Sequence, residues 1–117
     1  MDEAEAQFHK AAYLMPDSAK PLRGLAWTQF RNNKLDAALA SYSKIISTGN
    51  EDDYLNYGHV LLAKGDVKEA IVAYRAYVDN FGKDISEAMN ADRKYLVEAG
   101  IDLSRLPLLI EAVKYAK

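Results

Sequence analysis

The sequence predicts an all-α protein, an array of antiparallel helix pairs of the α-solenoid class. Three observations predict it. A spacing of small, aromatic and apolar residues recurs three times, apolar positions at helical periodicity precede the second and third copies, and Pro, Asn or Gly closes each copy. With 117 residues, half of them apolar and 27% charged, the chain has the composition of one folded domain and not of a disordered segment.

The first copy runs from Ala4 through Phe8 and Ala11 to Pro16, the second from Ala38 through Tyr42 and Ile45 to Asn50, and the third from Ala70 through Tyr74 and Tyr77 to Gly82. The step is 34 residues from Ala4 to Ala38 and 32 from Ala38 to Ala70, so one linker is shortened. Ahead of the later copies stand Leu22, Leu25, Ala26 and Gln29, then Tyr54, Tyr57, Gly58 and Leu61, each set on one helix face. Ala and Gly are needed there because a larger substituent on Cβ would force two crossing helices apart.

Each unit is therefore expected to be a helix pair, spanning residues 19–48 and 51–82, with 2–16 as a lone second helix. Asn33-Lys34 and Gly65-Asp66 supply the turns, since Asn tolerates the left-handed backbone that otherwise calls for Gly. Gln29, near a helix end, is expected to send its amide outward. Tyr13, Tyr42, Tyr74 and Tyr77 are expected in the core or between helix pairs, with hydroxyls reaching the rim. Because no helix precedes Ala4, the edge at 2–16 would expose Phe8, Ala11 or Tyr13, and the expectation is a fragment of a longer array or an edge that meets a partner.

Beyond Gly82 the pattern changes. Ser86 is expected to cap a helix running to about Ala99, with Met89, Tyr95 and Leu96 apolar and Asp92-Arg93 where small or apolar residues are wanted. Gly100 ends it, Asp102 or Ser104 starts a last helix, and Pro107 falls in its first turn, where the missing N–H does no harm. Leu106, Leu109, Ile110 and Val113 form that helix's apolar stripe, so 84–117 reads as a degenerate pair closing the array.

These residues resemble the tetratricopeptide repeat, whose pattern runs W-x2-L-G-x2-Y, then A-x3-F, then P. The third copy fits best, with Tyr54, Tyr57, Gly58 and Leu61 in the first helix, Gly65-Asp66 at the turn and Ala70-x3-Tyr74 in the second. The second copy departs by carrying Gln29 where the pattern has an aromatic. The resemblance covers about residues 2 to 82 and implies a right-handed α-solenoid of about three and a half units. Asp92-Arg93-Lys94-Tyr95-Leu96, Gly100-Ile101-Asp102 and Leu106-Pro107-Leu108, with Leu25-Ala26-Trp27 and Gly58-His59-Val60, also resemble the C-terminal tail of large multi-repeat proteins of Bacteroidetes-type bacteria. That likeness implies the end of a longer, cytoplasmic repeat protein.

Motifs of chemistry are sparse, so no enzyme is expected and no catalytic residue, cofactor or metal is assigned. The formal charge of -2, from 15 Lys+Arg against 17 Asp+Glu, leaves no excess cation for a phosphate backbone. The chain has no cysteine, and no stretch approaches the roughly 20 apolar residues that cross a bilayer; neither nucleic acid nor membrane is an expected partner. His59 has no ligand type one helical turn away, and neither it nor His9 is expected to hold a metal. Glu51, Asp52 and Asp53 read as negative charge at a helix start, where it complements the macrodipole, since the ligand spacing of an EF-hand is absent. Gly82-Lys83-Asp84 lacks the glycine-rich turn of a phosphate cradle, and no serine has a glycine-flanked elbow.

What remains is a surface. Opposite Leu22, Leu25, Ala26 and Gln29 the same helix carries Lys20, Arg23, Trp27 and Arg31 on successive turns, and the next unit places Asp52, Leu55, His59 and Ala63 there. Trp27 and His59 correspond across the repeat step. The resemblance implies that these faces line a concave groove gripping a peptide or helix of a partner protein. A Trp beside two Arg suits such a task, combining an apolar anchor with bidentate donors for carboxylates. A subgroup of the resembled family clamps a C-terminal carboxylate with Lys and Asn; Arg23 and Asn56 partly match, but Trp27 stands where that clamp has an Asn.

The expected partner-binding set is thus Lys20, Arg23, Trp27, Arg31, Asn56 and His59. Trp27 has a second reading, as packing against the following unit or the C-terminal cap, and Arg31 reads also as a solvated charge. The leading expectation is a protein-interaction scaffold; the alternative is a purely structural end of a longer array that self-associates through residues 2–16.

Overall fold

In the computed structural model, which describes residues 2–116, eight α-helices follow one another and no strand occurs among the described residues. The first is α1 (Glu3–Leu14), begun by Asp2, whose carboxylate accepts the Glu5 N–H at 2.8 Å. Helices α2 (Ala19–Arg31) and α3 (Leu35–Ile45) are joined by a turn in which Asn33 takes φ 62°, the left-handed conformation its side chain tolerates. A single 3₁₀ turn, Ile46–Thr48, leads to α4 (Glu51–Lys64), where Asn50 Oδ1 accepts the N–H groups of Asp52 and Asp53. Gly65, at φ 88°, turns the chain into α5 (Val67–Phe81). Among the described residues no helix is long and apolar enough to cross a membrane.

The chain after Gly82 departs from expectation. In place of one helix from Ser86 to Ala99 there are two, α6 (Ile85–Ala91) and α7 (Arg93–Glu98), broken at Asp92. The cap is not Ser86 but Asp84, whose carboxylate accepts the N–H groups of Ser86 and Glu87 at 2.8 and 3.2 Å. Ile85 is thereby drawn into the helix, where it is buried. Asp102 begins a 3₁₀ turn, Leu103–Arg105, that runs straight into α8 (Leu106–Tyr115), with Pro107 in its first turn. Arg75 of α5 donates to the carbonyls of Val113 and Lys114 at the end of α8, where carbonyls run short of intrahelical donors.

Helices adjacent in sequence pack as neighbours from α1 to α5, and α8 lies back against α5. Two apolar clusters result. Ala26, Phe30, Ala38, Tyr42, Ile45 and Val60 join α2, α3 and α4. Leu55, Leu61, Tyr74, Met89, Leu96 and Val113 are central to the other, which joins α4, α5 and the C-terminal helices. Leu39 and Tyr57 touch both and make the seam. The molecule measures 42 × 27 × 21 Å, twice as long as it is thick, which follows from adding helices in chain order.

The small residues do what close crossings demand. A Cβ on Gly58 would sit 2.5 Å from Cε1 of Tyr74, so only glycine lets α4 and α5 approach this closely. Ala38 and Ala70 have no exposed surface, but Ala4, their counterpart on α1, is exposed. Two other expectations fail. Gln29 does not point outward: it is 5% exposed, and its Oε1 accepts the Ser41 hydroxyl at 2.7 Å, a bond that makes its burial tolerable. Tyr13 is not core but 85% exposed, because none of the described helices covers that side of α1.

Candidate functional site

The sequence-predicted set centres on α2, and the structure gives each member a definite place. Lys20 is exposed at the start of α2 and forms no ion pair with the described residues. Arg23, one turn on, makes two parallel bonds to Asp53, Nε to Oδ1 at 2.7 Å and Nη2 to Oδ2 at 2.8 Å. Asp53 has no exposed surface, so this fork neutralises a buried carboxylate that the sequence offers only as helix-start charge. The same bond, with burial opposing it, raises the Arg23 guanidinium above its ordinary range. Arg23 is therefore committed within the chain and is not a free donor for a partner's carboxylate, which corrects the expectation.

Trp27 is half-buried and packs against the C-terminal helices, as its second reading expected. Its ring meets Tyr95 of α7 edge-on, centroids 5.0 Å apart at 81°, and lies 5.6 Å from Phe30. Arg31 is not simply a solvated charge: its guanidinium lies 4.9 Å from the Tyr95 ring centroid and 5.9 Å from that of Trp27, and it pairs with Glu98 at 3.2 Å. The second Arg of the expected carboxylate grip is thus also occupied by the chain itself.

His59 has no exposed surface, so it is not on the open face where the repeat step puts it. Nδ1 lies 2.8 Å from Tyr74 Oη, and Nε2 lies 2.8 Å from Asp92 Oδ2. A neutral ring with its proton on Nε2 donates to Asp92 and accepts from the tyrosine, leaving no partner unsatisfied. The charge of Asp92 and, above all, burial hold the Tyr74 hydroxyl well above the usual phenol range. Leu55, also expected on this face, is buried at 7% exposure. Asp92, at the α6–α7 junction, reaches His59 on this face of α4.

Asn56 is half-buried and borders an open groove of ≈ 350 Å³. Trp27 and Tyr95 form one wall of it, Leu55 and Tyr77 lie along it, and Asp52 and Asp92 contribute carboxylates. Behind, the Tyr42 hydroxyl is buried without a hydrogen-bond partner among the described residues. Burial first, then the neighbouring Asp53 charge, pushes that hydroxyl far above the phenol range. A second cavity of ≈ 400 Å³, between α4–α5 and α8, is apolar along Leu62, Val67, Ile71 and Leu109. It is remote from the polar groups above, and its Asp102 is occupied in capping, so the groove at Trp27 is the better candidate.

Sequence reasoning missed Tyr95, Asp92 and the true role of Asp53. The one available signal was Asp92 standing where a small or apolar residue was wanted. Among the described residues no three His, Cys, Asp or Glu side chains gather as a metal site would require.

These features define an all-helical protein with an aromatic groove flanked by carboxylates. Comparison with protein-family models, with curated proteins and with solved structures finds no match to the chain.

Proposed function

We propose that the chain is a tetratricopeptide-like array of helix hairpins, a right-handed α-solenoid, that serves as a protein-interaction module. The succession of neighbouring helices and the Gly58–Tyr74 crossing support the architecture. The observation that carries the function is the ≈ 350 Å³ groove, in which Trp27, Tyr95 and Asn56 offer an aromatic wall beside a half-exposed amide. An extended peptide laid there finds apolar area for its side chains and an amide for its backbone. The residues proposed to meet it are Trp27, Asn56, Asp52 and Tyr95; Arg23, Arg31 and His59 hold the groove's walls in place.

Selection of binders from a displayed library of short peptides tests this reading. Bound peptides should change the emission of Trp27, the chain's single tryptophan, and Asn56→Arg, which fills the groove from a half-exposed position, should abolish binding with helicity intact. Peptides that bind tightly, leave Trp27 emission unaltered and tolerate Asn56→Arg would sink it.

A second reading, a structural end piece that self-associates, has its own observation. Tyr13, Leu14 and Met15 are 85%, 65% and 50% exposed at the end of α1. Sedimentation decides it: a dimer that Leu14→Ser converts to monomer supports this reading, and a monomer at all concentrations removes it.

A further inference from the structure

The groove's charge is opposite to what its Trp-Arg-Arg sequence pattern suggests. Both arginines are engaged within the chain: Arg23 is bonded twice to Asp53, and Arg31, at the surface, lies over Tyr95 and is paired with Glu98. Lys83, just after α5, lies 3.7 Å from Glu51. Among the described residues no Lys or Arg lines the groove, whereas Asp52 and Asp92 do. Asp52 forms no ion pair with the described residues, and Asp92 gives one oxygen to His59 and keeps Oδ1 free of bonds within the described chain. Burial first, then the charges of Glu51, Asp52, Asp92 and Glu87, holds the hydroxyl of Tyr77, beside the groove, above the usual phenol range.

The walls also suit a cation. Arg31 already rests on the outer side of the Trp27–Tyr95 pair, and Tyr95 borders both the cleft holding Arg31 and Glu98 and the groove on its other side. The chain thus contains an example of the contact that a second guanidinium would make from the groove.

Resting on the interaction-module reading, we infer that the groove takes a basic side chain, Arg before Lys, from an extended segment of a partner protein, with its stem along Trp27 and Leu55 and its charge between Asp52 and Asp92. Arginine is favoured because its planar head both stacks on an aromatic face and forks to a carboxylate, which an ammonium does not. The occupant is therefore basic, not the acidic segment that two free arginines would have selected.

The test uses the whole chain and four acetylated peptides identical except for a central Arg, Lys, Gln or Glu, followed by Trp27 emission at low ionic strength. Affinity should fall in that order, with Arg about tenfold tighter than Gln, the gain expected of one cation–π contact plus one partly exposed ion pair. Salt at about 0.15 M should compress the order, because exposed pairs are screened. Asp52→Lys, an exposed substitution that leaves the fold alone, should bring Glu ahead of Arg. Asp92→Asn, which keeps an acceptor for His59, should weaken Arg alone, and the Asp52 result stands if that variant does not fold. Equal affinity of all four peptides overturns the basic preference while leaving the interaction groove standing. An order led by Glu in the unaltered chain also overturns it, and silence of Trp27 toward every peptide overturns both.

Discussion

At two helix crossings an aromatic ring lies directly on a glycine, Phe8 on Gly24 between α1 and α2, and Tyr74 on Gly58 between α4 and α5. A Cβ would fall 2.3 Å from Phe8 Cε1 in the first and 2.5 Å from Tyr74 Cε1 in the second, so by local geometry they are equally intolerant. Their surroundings differ. Phe8 is half-buried at the edge and can swing aside, whereas Tyr74 has no exposed surface and its hydroxyl is tied to His59, itself tied to Asp92. The difference teaches that tightness of a contact does not set its cost; the freedom of the partner to yield does.

Gly58→Val and Gly24→Val break or keep that comparison most directly. Valine at 58 should cost about 3 kcal/mol or more and at 24 about 1 kcal/mol in urea denaturation; equal losses would show that the ring at the edge is held as firmly as the one inside. Next in size, His59→Ala should cost about 2–4 kcal/mol, because it opens a cavity and leaves the Tyr74 hydroxyl and the Asp92 carboxylate without their partner. In a double variant with Gly58→Val the two losses should sum to less than their separate values, since Tyr74 is then free to move.

The edge should reveal itself through acid. The Glu5 N–H and then Asn32 hold Asp2 below the usual carboxylate range, while a bond from Lys34, opposed by desolvation, holds Glu5 below it. Lys34 Nζ lies 2.9 Å from Glu5 Oε2 and Asn32 Nδ2 2.6 Å from Asp2 Oδ2, so these groups fasten α1 to the turn before α3. Because both folded values are depressed, the stabilisation is complete above the ordinary carboxylate range near pH 4 and is lost as pH falls through the folded values. Amide exchange in α1 should accelerate on acidification before exchange in α4 and α5 does. Glu5→Gln should flatten that response, and a response equal in all helices would refute the edge as its source. The smallest effect belongs to Tyr13→Ser, at an exposed position, which should stay within about 0.5 kcal/mol by the same denaturation measurement.

Much of the helical layout was legible because it follows from periodicity and turn chemistry. Gly65 at φ 88° and Asn33 at φ 62° adopt the backbone their residue types permit, and Leu25, Ala26, Leu61, Ala70 and Val113 are buried on the faces that the spacing assigns. The candidate site was less legible. Lys20, Arg23, Trp27 and Arg31 do share a face of α2, but spacing along a helix cannot say what that face meets. Asp53 comes to Arg23 across 30 residues, and Asp92 to His59 across 33; neither separation carries a periodic signal.

By itself, then, the sequence determined the helix-and-turn layout and its apolar stripes as far as Gly82, because those properties depend on residues within a turn or two of one another, while the break at Asp92 escaped it. Tertiary structure decided which charges are spent and which are left. Burial at Asp53 and His59 forced Arg23 and Asp92 into fixed partnerships, and Arg31, though exposed, is engaged by Tyr95 and Glu98. A charge's partner is set by distance in space and by the cost of leaving it unpaired out of water, and that is why a helix face rich in arginine borders an acidic groove.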